Sequence, residues 1–353
     1  MNHDVFVIGV GCVSTAGVGP ELLERAHRSG TRPGVSAEWA HAVPEGQPIG
    51  AIDDFDPAAY VKMRGLRPLS RASRLAVVAA AAALGHPDPI PGNADRAGVV
   101  VGSRWGSIES IVEFNKSAYL DGPHLVNPSH FPNVVANVHA GYLGILFGLA
   151  GPNLTLCGAS AGLEAIGQGA ELLGAGRAGP VLAGGVEALG ASLLRGGARA
   201  GRLVGGLVPG EGAAFLLLTG AVPADRVPLA RVAGWSVVTA HRATDLVAAR
   251  NEAIRDALEG AGVPLESVET VWITGEDAGT FVAPPGLEER VHSLREITGD
   301  CEAADGALAA ALAIHGITKG AGPTLVGCFP PVGNQVVVLF TPMSAQERLA
   351  HPD

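Results

Sequence analysis

The sequence predicts an α/β protein in which one structural unit occurs twice. Short, fully apolar runs of strand length alternate with segments of helical periodicity along the whole chain, the order expected of a sheet flanked by helices. Two distant stretches, LVGGLVPGEGAAFLLLT at Leu203–Thr219 and TLVGCFPPVGNQVVVLFT at Thr324–Thr341, share one plan: a short apolar strand, a Gly/Pro turn and a second apolar strand. The 353 residues, 47% apolar and 16% charged, are enough for a large core or two domains. Aromatic residues make up only 5% and glycine supplies 50 positions, so helices and strands must approach closely over small side chains.

Taken in order, Val5–Ile8 reads as a strand running into Gly9-Val10-Gly11. A dinucleotide fingerprint needs glycine at position 14, where Ser14 stands, so nucleotide binding is not expected. Glu21–Ser29 is helical, 30–58 is Gly/Pro-rich loop with a brief extended piece near Ile49–Ile52, and Ser70–Leu84 is a helix that becomes Ala-rich and buried. A valine strand at Gly98–Gly102, a helix at Ser107–Tyr119, a Pro-containing loop through Pro132 and a helix at Ala136–Phe147 follow. Leu154–Cys157 is a strand that turns at Gly158 into a helix ending near Gly174, and Pro180–Ala183 is a further buried strand before the first apolar hairpin. A Pro-rich connector at 220–228 divides the chain into halves 1–222 and 223–353. The second half reads as a strand at Ala230–Val238, a helix at Leu246–Gly260, a strand at Thr270–Thr274, a helix at Gly306–Ile314 and the second hairpin.

Several function classes are excluded. A net charge of −10 argues against nucleic-acid binding, which needs a dense basic surface. The longest apolar run, Leu75–Leu84, is too short to span a bilayer, and the start of the chain carries Asp4 rather than a basic cluster, so a cytoplasmic location with no membrane partner is expected. Cys12, Cys157, Cys301 and Cys328 are far apart with no CxxC pair, which reads as free thiols and no metal site. No cofactor motif is present.

The stretch Gly158-Ala159-Ser160-Ala161-Gly162 matches the G-x-S-x-G nucleophile elbow. A strand that turns sharply into a helix presents its turn residue to unpaired N–H groups and the positive end of the helix dipole, which suits a hydrolase serine and a thiolate alike. A triad would draw its acid from Asp225, Asp245, Asp277 or Asp300 and its base from His292, His315 or His351. None of these sits in a short Gly-flanked loop, and no HGGG-like oxyanion segment precedes Ser160.

Extended outward, GPNLTLCGASAGLEAIGQGAELLGAGRAGPVLAGGVEAL resembles the active-site segment of the β-ketoacyl synthases, condensing enzymes of the thiolase fold. So do VFVIGVGCVSTAGVG, IDDFDPAAYVKMRGLRPLSRASRLAVVAAAAAL, GVVVGSRWGSIES, PNVVANVHAGYLGILFGLAGPNLT, PGEGAAFLLL and CFPPVGNQVVVLF, so that the resemblance covers nearly the whole chain. It implies a duplicated βαβαβαββ arrangement in α/β/α/β/α layers. It also implies a mechanism with three parts: an elbow Cys that carries an acyl thioester, and two His that donate hydrogen bonds as a malonyl group loses carbon dioxide.

Here the elbow position falls on Ala159 or Ser160, with Cys157 two or three residues early inside the strand. Glu276 stands where the first His is expected and Asp300 where the second is expected; the Lys that usually precedes the second His is not evident. The family's closing G-F-G-G loop has become Cys328-Phe329-Pro330-Pro331-Val332-Gly333. An ionised carboxylate accepts hydrogen bonds and opposes a developing enolate, so both replacements reverse the electrostatics of condensation.

A chain of this family without its machinery resembles the chain length factor, the β subunit of type II polyketide ketosynthases. The resemblance implies a heterodimer with an active ketosynthase, an acyl carrier protein as a second partner, and a role in shaping the acyl tunnel. Tunnel candidates are Ile108, Ser110, Glu113, Phe114 and Ser117; by spacing Ser110, Glu113 and Ser117 share a helix face, which is either the tunnel wall or a solvated face over an apolar core side. Dimer-interface candidates are Asn133, Asn137, Leu154 and Cys157, the two Asn serving either the interface or the helix start. Arg64, Arg67, Arg71 and Arg74, spaced by three, four and three, would form one basic helical stripe, either docking an acidic carrier protein or held in local ion pairs. The alternative function is acyl transfer or hydrolysis through Ser160.

Overall fold

A computed structural model describes residues 4–85, 94–201, 203, 207–275 and 286–343. In chain order these form β1 (Val5–Ser14), β2 (Gly17–Val18), α1 (Pro20–Ser29), α2 (Arg71–Leu84), β3 (Gly98–Ser103), α3 (Ile108–Leu120), α4 (Val138–Phe147), β4 (Asn153–Cys157), α5 (Ala161–Gly174), β5 (Val181–Glu187) and α6 (Ala191–Arg199). They continue with β6 (Gly212–Thr219), β7 (Ala230–Ala240), α7 (Leu246–Ala261), β8 (Thr270–Thr274), β9 (Val291–Ser293), α8 (Arg295–Thr298), α9 (Ala303–Thr318), β10 (Thr324–Cys328) and β11 (Gly333–Thr341). No helix among the described residues is long and apolar enough to cross a membrane.

All the described strands join one mixed sheet in the order β4-β3-β5-β6-β1-β7-β11-β10-β8-β9, with β2 folded back on β1. The order is palindromic about the β1–β7 contact, and so are the pairings. β4, β3 and β5 run parallel, as do β9, β8 and β10, while β5–β6–β1 and β10–β11–β7 are antiparallel. This is internal duplication expressed in hydrogen bonds. β3, β5, β6 and β10 are buried along their whole length because both sheet faces are covered, which is why their sequences show no alternation. α5 and α9 lie between the two groups of strands, α2 packs on the outer side of β1, β5 and β6, and α7 packs on the outer side of β7 and β11. The result is the expected α/β/α/β/α layering.

Small residues make the layers fit. α2 starts at its cap Ser70, whose side chain accepts the Ser73 N–H, and ends at a left-handed Gly85; its alanine run lies flat on the sheet. In the central layer, a β-carbon added to Gly162 of α5 would sit 2.1 Å from the Ala303 carbonyl oxygen of α9. The two helix starts therefore touch backbone to backbone.

The structure adds three points to the sequence reading. The first arm of the hairpin expected at Leu203–Thr219 lies partly outside the described residues, which include 203 and 207–210 of it. The second arm is β6, which pairs with β5 and β1, while Pro209 and Gly210 make isolated bridges to Asp300 and Gly50. Helix α6 was not legible because Gly196 and Gly197 weaken its helical signal. The basic stripe does not exist as a helix face: α2 begins only at Arg71, and Arg64 and Arg67 lie exposed in the preceding Pro-interrupted loop. Arg71 turns inward. Its Nε and Nη2 each meet the buried Glu211 carboxylate at 2.7 Å, its Nη1 meets Glu38 at 2.9 Å, and its guanidinium lies over Trp39. Arg74 bonds the Arg67 carbonyl.

Candidate functional site

The palindromic sheet brings together the turn from β4 into α5 and the turn from α8 into α9. In the first, Ser160 precedes α5 with φ −97° and ψ 3°, so its backbone is unstrained. Its side chain is 3% exposed, and Oγ donates to the Asn334 carbonyl of β11 at 2.9 Å. Ala159 beside it accepts a weak 3.8 Å contact from Cys328 Sγ. Cys157 is the last residue of β4 and is exposed at the sheet edge.

The triad expectation finds no base here. His292 packs edge-on to His27 and tilted against Trp272, and His315 meets Glu24 at 3.1 Å on α1. His351 and Asp277 lie outside the described residues, as does Glu276.

The second turn holds Asp300. Its backbone bridges to Val208 and Gly210, and its carboxylate accepts the Glu302 N–H at 3.1 Å and pairs with Arg295 Nη2 at 2.8 Å. The cation that precedes Asp300 is an arginine five residues upstream, and no lysine stands there. Glu302 adopts φ 50°, a conformation rare for a non-glycine residue, and its carboxylate pairs with Arg104 at the end of β3. Asp305 lies buried one turn into α9 and accepts the Cys301 N–H at 3.0 Å; burial first, and the charge of Asp300 second, push its carboxyl well above the usual range. Burial also pushes the Cys328 and Cys12 thiols up to about 12, which removes them as nucleophiles at neutral pH.

Between the turns, at the end of β5, Glu187 is fully enclosed. It accepts the Arg104 N–H at 2.7 Å, the Trp105 N–H at 3.3 Å and the Ser103 hydroxyl at 3.2 Å, yet burial outweighs these bonds and pushes its carboxyl up to about 8. The sign follows from the folded value lying above the ordinary 4.5: the folded state holds the proton more tightly, so this contribution is complete below about pH 4.5 and is lost as pH rises to about 8. Glu187→Gln mimics the protonated acid and is expected to flatten that decline. Denaturation midpoints at pH 5 and pH 9 check it, and an unchanged pH slope in the variant refutes it.

Glu187 also separates two cavities. One, of about 70 Å³, is walled by Trp105, Leu189, Leu193, Leu203 and Leu207 and ends at Asp300 and Glu302. The other, of about 40 Å³, runs between α3 and α6 past Ile108 and Ser110. The remaining tunnel candidates are elsewhere. Glu113 is exposed, Ser117 donates to Asp121 at 3.1 Å on the surface, and Phe114 lies against Phe131. No residue of α3 is buried, so its apolar side is not core either. Tyr119, Leu120, Leu125, Phe131, Ile145 and Leu154 leave an apolar surface over α3, α4 and β4. Leu154 and Cys157 lie on the open edge strand of the sheet. Asn133 is spent within the chain, donating to the Pro68 carbonyl at 3.1 Å and accepting from Tyr142 at 3.0 Å; Asn137 opens α4 exposed, with no capping bond from its side chain. Among the described residues no group of three or more His, Cys, Asp or Glu side chains is arranged to hold a metal ion.

Sequence reasoning missed Arg104, Glu187, Arg295 and Asn334. Only Arg295 carried a signal, its five-residue spacing before Asp300; the others act through strands paired across the sheet.

The layered, duplicated fold with paired helix starts defines a thiolase-type architecture. A family model described as "Beta-ketoacyl synthase, N-terminal domain" matches residues 2–224. The chain belongs to the β-ketoacyl synthase family. The chain is 31% identical over 52% of its length to a 3-oxoacyl-[acyl-carrier-protein] synthase 2 of Vibrio harveyi, of which the match spans 45%. With the protein of the same name from Coxiella burnetii it shares 26% identity over 93% of this chain and 89% of that protein. Among solved structures, "The ishigamide ketosynthase/chain length factor" superposes with a TM-score of 0.81 at 25% identity, covering 97% of this chain and 100% of that one. A β-ketoacyl synthase from Burkholderia phymatum, at 20% identity and a TM-score of 0.81 over 97% of this chain and 100% of that one, shares the fold.

Proposed function

We propose that the chain is a non-catalytic ketosynthase-like subunit of the chain-length-factor kind, which pairs with an active ketosynthase and shapes its acyl tunnel in polyketide or related fatty-acid-like biosynthesis. The observation that carries this is the chemistry at the two turns. The elbow offers a hydroxyl already bonded to Asn334, and the second turn offers a carboxylate already paired with Arg295. Among the described residues of these two turns, neither a thiolate to accept an acyl group nor a histidine to donate to a thioester oxygen is present. A Ser160 acyltransferase or hydrolase has no described base to support it.

The partner is an intact ketosynthase. The apolar surface over α3 and α4 continues into the open edge of β4, which suits a chain of the same fold, and Leu154, Cys157 and Asn137 lie on it. Ile108 and Ser110 are the tunnel residues we retain. Exposed Lys62, Arg64 and Arg67 are the remaining cations for an acidic carrier protein. We place the division of the chain at 222/223, in the connector between β6 and β7.

Co-expression with a ketosynthase that keeps the T-A-C-A-S-G elbow, followed by size-exclusion chromatography and incubation with malonyl carrier protein, tests this. The expected result is a one-to-one complex that elongates only when both chains are present and is unaffected by Ser160→Ala. A homodimer acylated at Ser160 overturns it.

A further inference from the structure

We propose that the segment Phe329–Asn334 is a fixed strap that seals the α5 turn against carrier-borne substrate, with Gln335 and Arg250 as the residues that set it. The inference rests on the non-catalytic reading above and adds the device that keeps this turn out of the chemistry. Where related chains have the glycine-rich G-F-G-G loop, this chain has two consecutive prolines, which fix φ and remove two N–H donors. Side chains then hold the segment at both ends. Gln335, wholly buried, donates from Nε2 to the Pro330 carbonyl at 3.0 Å and to the Gly333 carbonyl at 3.1 Å. Its Oε1 accepts from Arg250 Nε at 3.3 Å, and the Arg250 guanidinium lies over the buried Phe329 ring. Phe329 N–H donates to the Thr274 carbonyl at 2.9 Å.

At the far end, Asn334 joins the strap to the turn it covers. Its carbonyl takes the Ser160 hydroxyl, its amide donates to Glu164 at 3.1 Å on α5, and its side-chain oxygen accepts from Thr239 at 2.8 Å. Only Pro331 and Val332 reach solvent freely. An access route past this segment needs the Gln335 bonds to open first.

Gln335→Glu isolates the clamp. The side chain keeps its size and its acceptor toward Arg250, but it turns two donors into acceptors facing carbonyl oxygens. Pro331→Gly, at an exposed position, loosens the strap without touching the core and serves if the first variant fails to fold. The reporter is Ser160→Cys in a Cys157→Ser background. Its thiolate displaces iodide from iodoacetamide to form a thioether, the thiol proton going to buffer, and peptide mass analysis locates the label. Cys12, Cys301 and Cys328 are buried with raised pKa and do not compete.

With the strap intact, the introduced thiol is expected to react at least about tenfold more slowly than native Cys157, and Gln335→Glu or Pro331→Gly to raise its rate about tenfold or more, with amide exchange at 332–335 rising in parallel. Labelling as fast as Cys157 with the strap intact, or a rate unchanged in both folded variants, overturns the strap. Because labelling needs no partner, that failure leaves the co-elongation result standing, and the two readings fail separately.

Discussion

Replacing Arg71 by alanine is expected to destabilise the protein by about 3–5 kcal/mol, enough to remove a large part of the stability of an ordinary domain. Glu211 has no exposed surface and receives four hydrogen bonds, two of them from Arg71; the others come from the Ile52 and Leu189 N–H groups. Without the guanidinium, a carboxylate remains enclosed with no counter-ion, and the loop that Arg71 also holds through the Ile52 carbonyl loses its anchor. Arg71→Lys keeps a charge but not the bidentate fork or the stacking on Trp39, and is expected to recover only part of the loss. Arg64→Ala and Arg67→Ala, at exposed loop positions, are expected to leave stability within about 0.5 kcal/mol. Urea denaturation of the four variants decides this, and a small effect for Arg71→Ala would return that residue to the surface patch.

Gly162→Val is expected to abolish the folded state or to cost more than about 3 kcal/mol. The added carbon would lie 2.1 Å from the Ala303 carbonyl oxygen and would force α5 and α9 apart, and with them the layers on either side. Gly174→Ala, at the far end of the same helix with nothing within 4 Å, is the control and is expected to be neutral or to stabilise by up to about 1 kcal/mol. Circular dichroism and thermal melts compare the two. A well-folded Gly162→Val protein would mean that the helix starts do not need their backbone contact.

The fold was legible because burial on both sheet faces writes itself as continuous apolar runs, as at Val99–Val101 and Val336–Phe340, and because each strand group repeats the plan of the other. The family could be read from the glycine-spaced segment around Ser160. What could not be read was the use of charge. Arg71 fitted a helical stripe by spacing, but Pro68 and the Ser70 cap set the helix start after Arg64 and Arg67, and Glu211, 140 residues away, turned Arg71 inward. Arg104 and Asn334 find Glu302 and Ser160 only once strands distant in sequence are paired, whereas Arg295 meets Asp300 across five residues. Glu113 and Ser117 shared the predicted periodicity with Ser110, but α3 lies at the surface and only its first turn reaches a cavity.

The open edge of β4, with Leu154 and Ile145 beside it, also has a consequence for how the protein must be made. Unpaired strand N–H and C=O groups next to apolar side chains are a template for indiscriminate pairing. Under the pairing proposed above, a copy synthesised in excess of its counterpart would carry an aggregation hazard that a matched copy has covered. On that reading the ratio of two translation rates would set how much of this chain a cell tolerates, surplus giving orphan chains destined for chaperones and proteases.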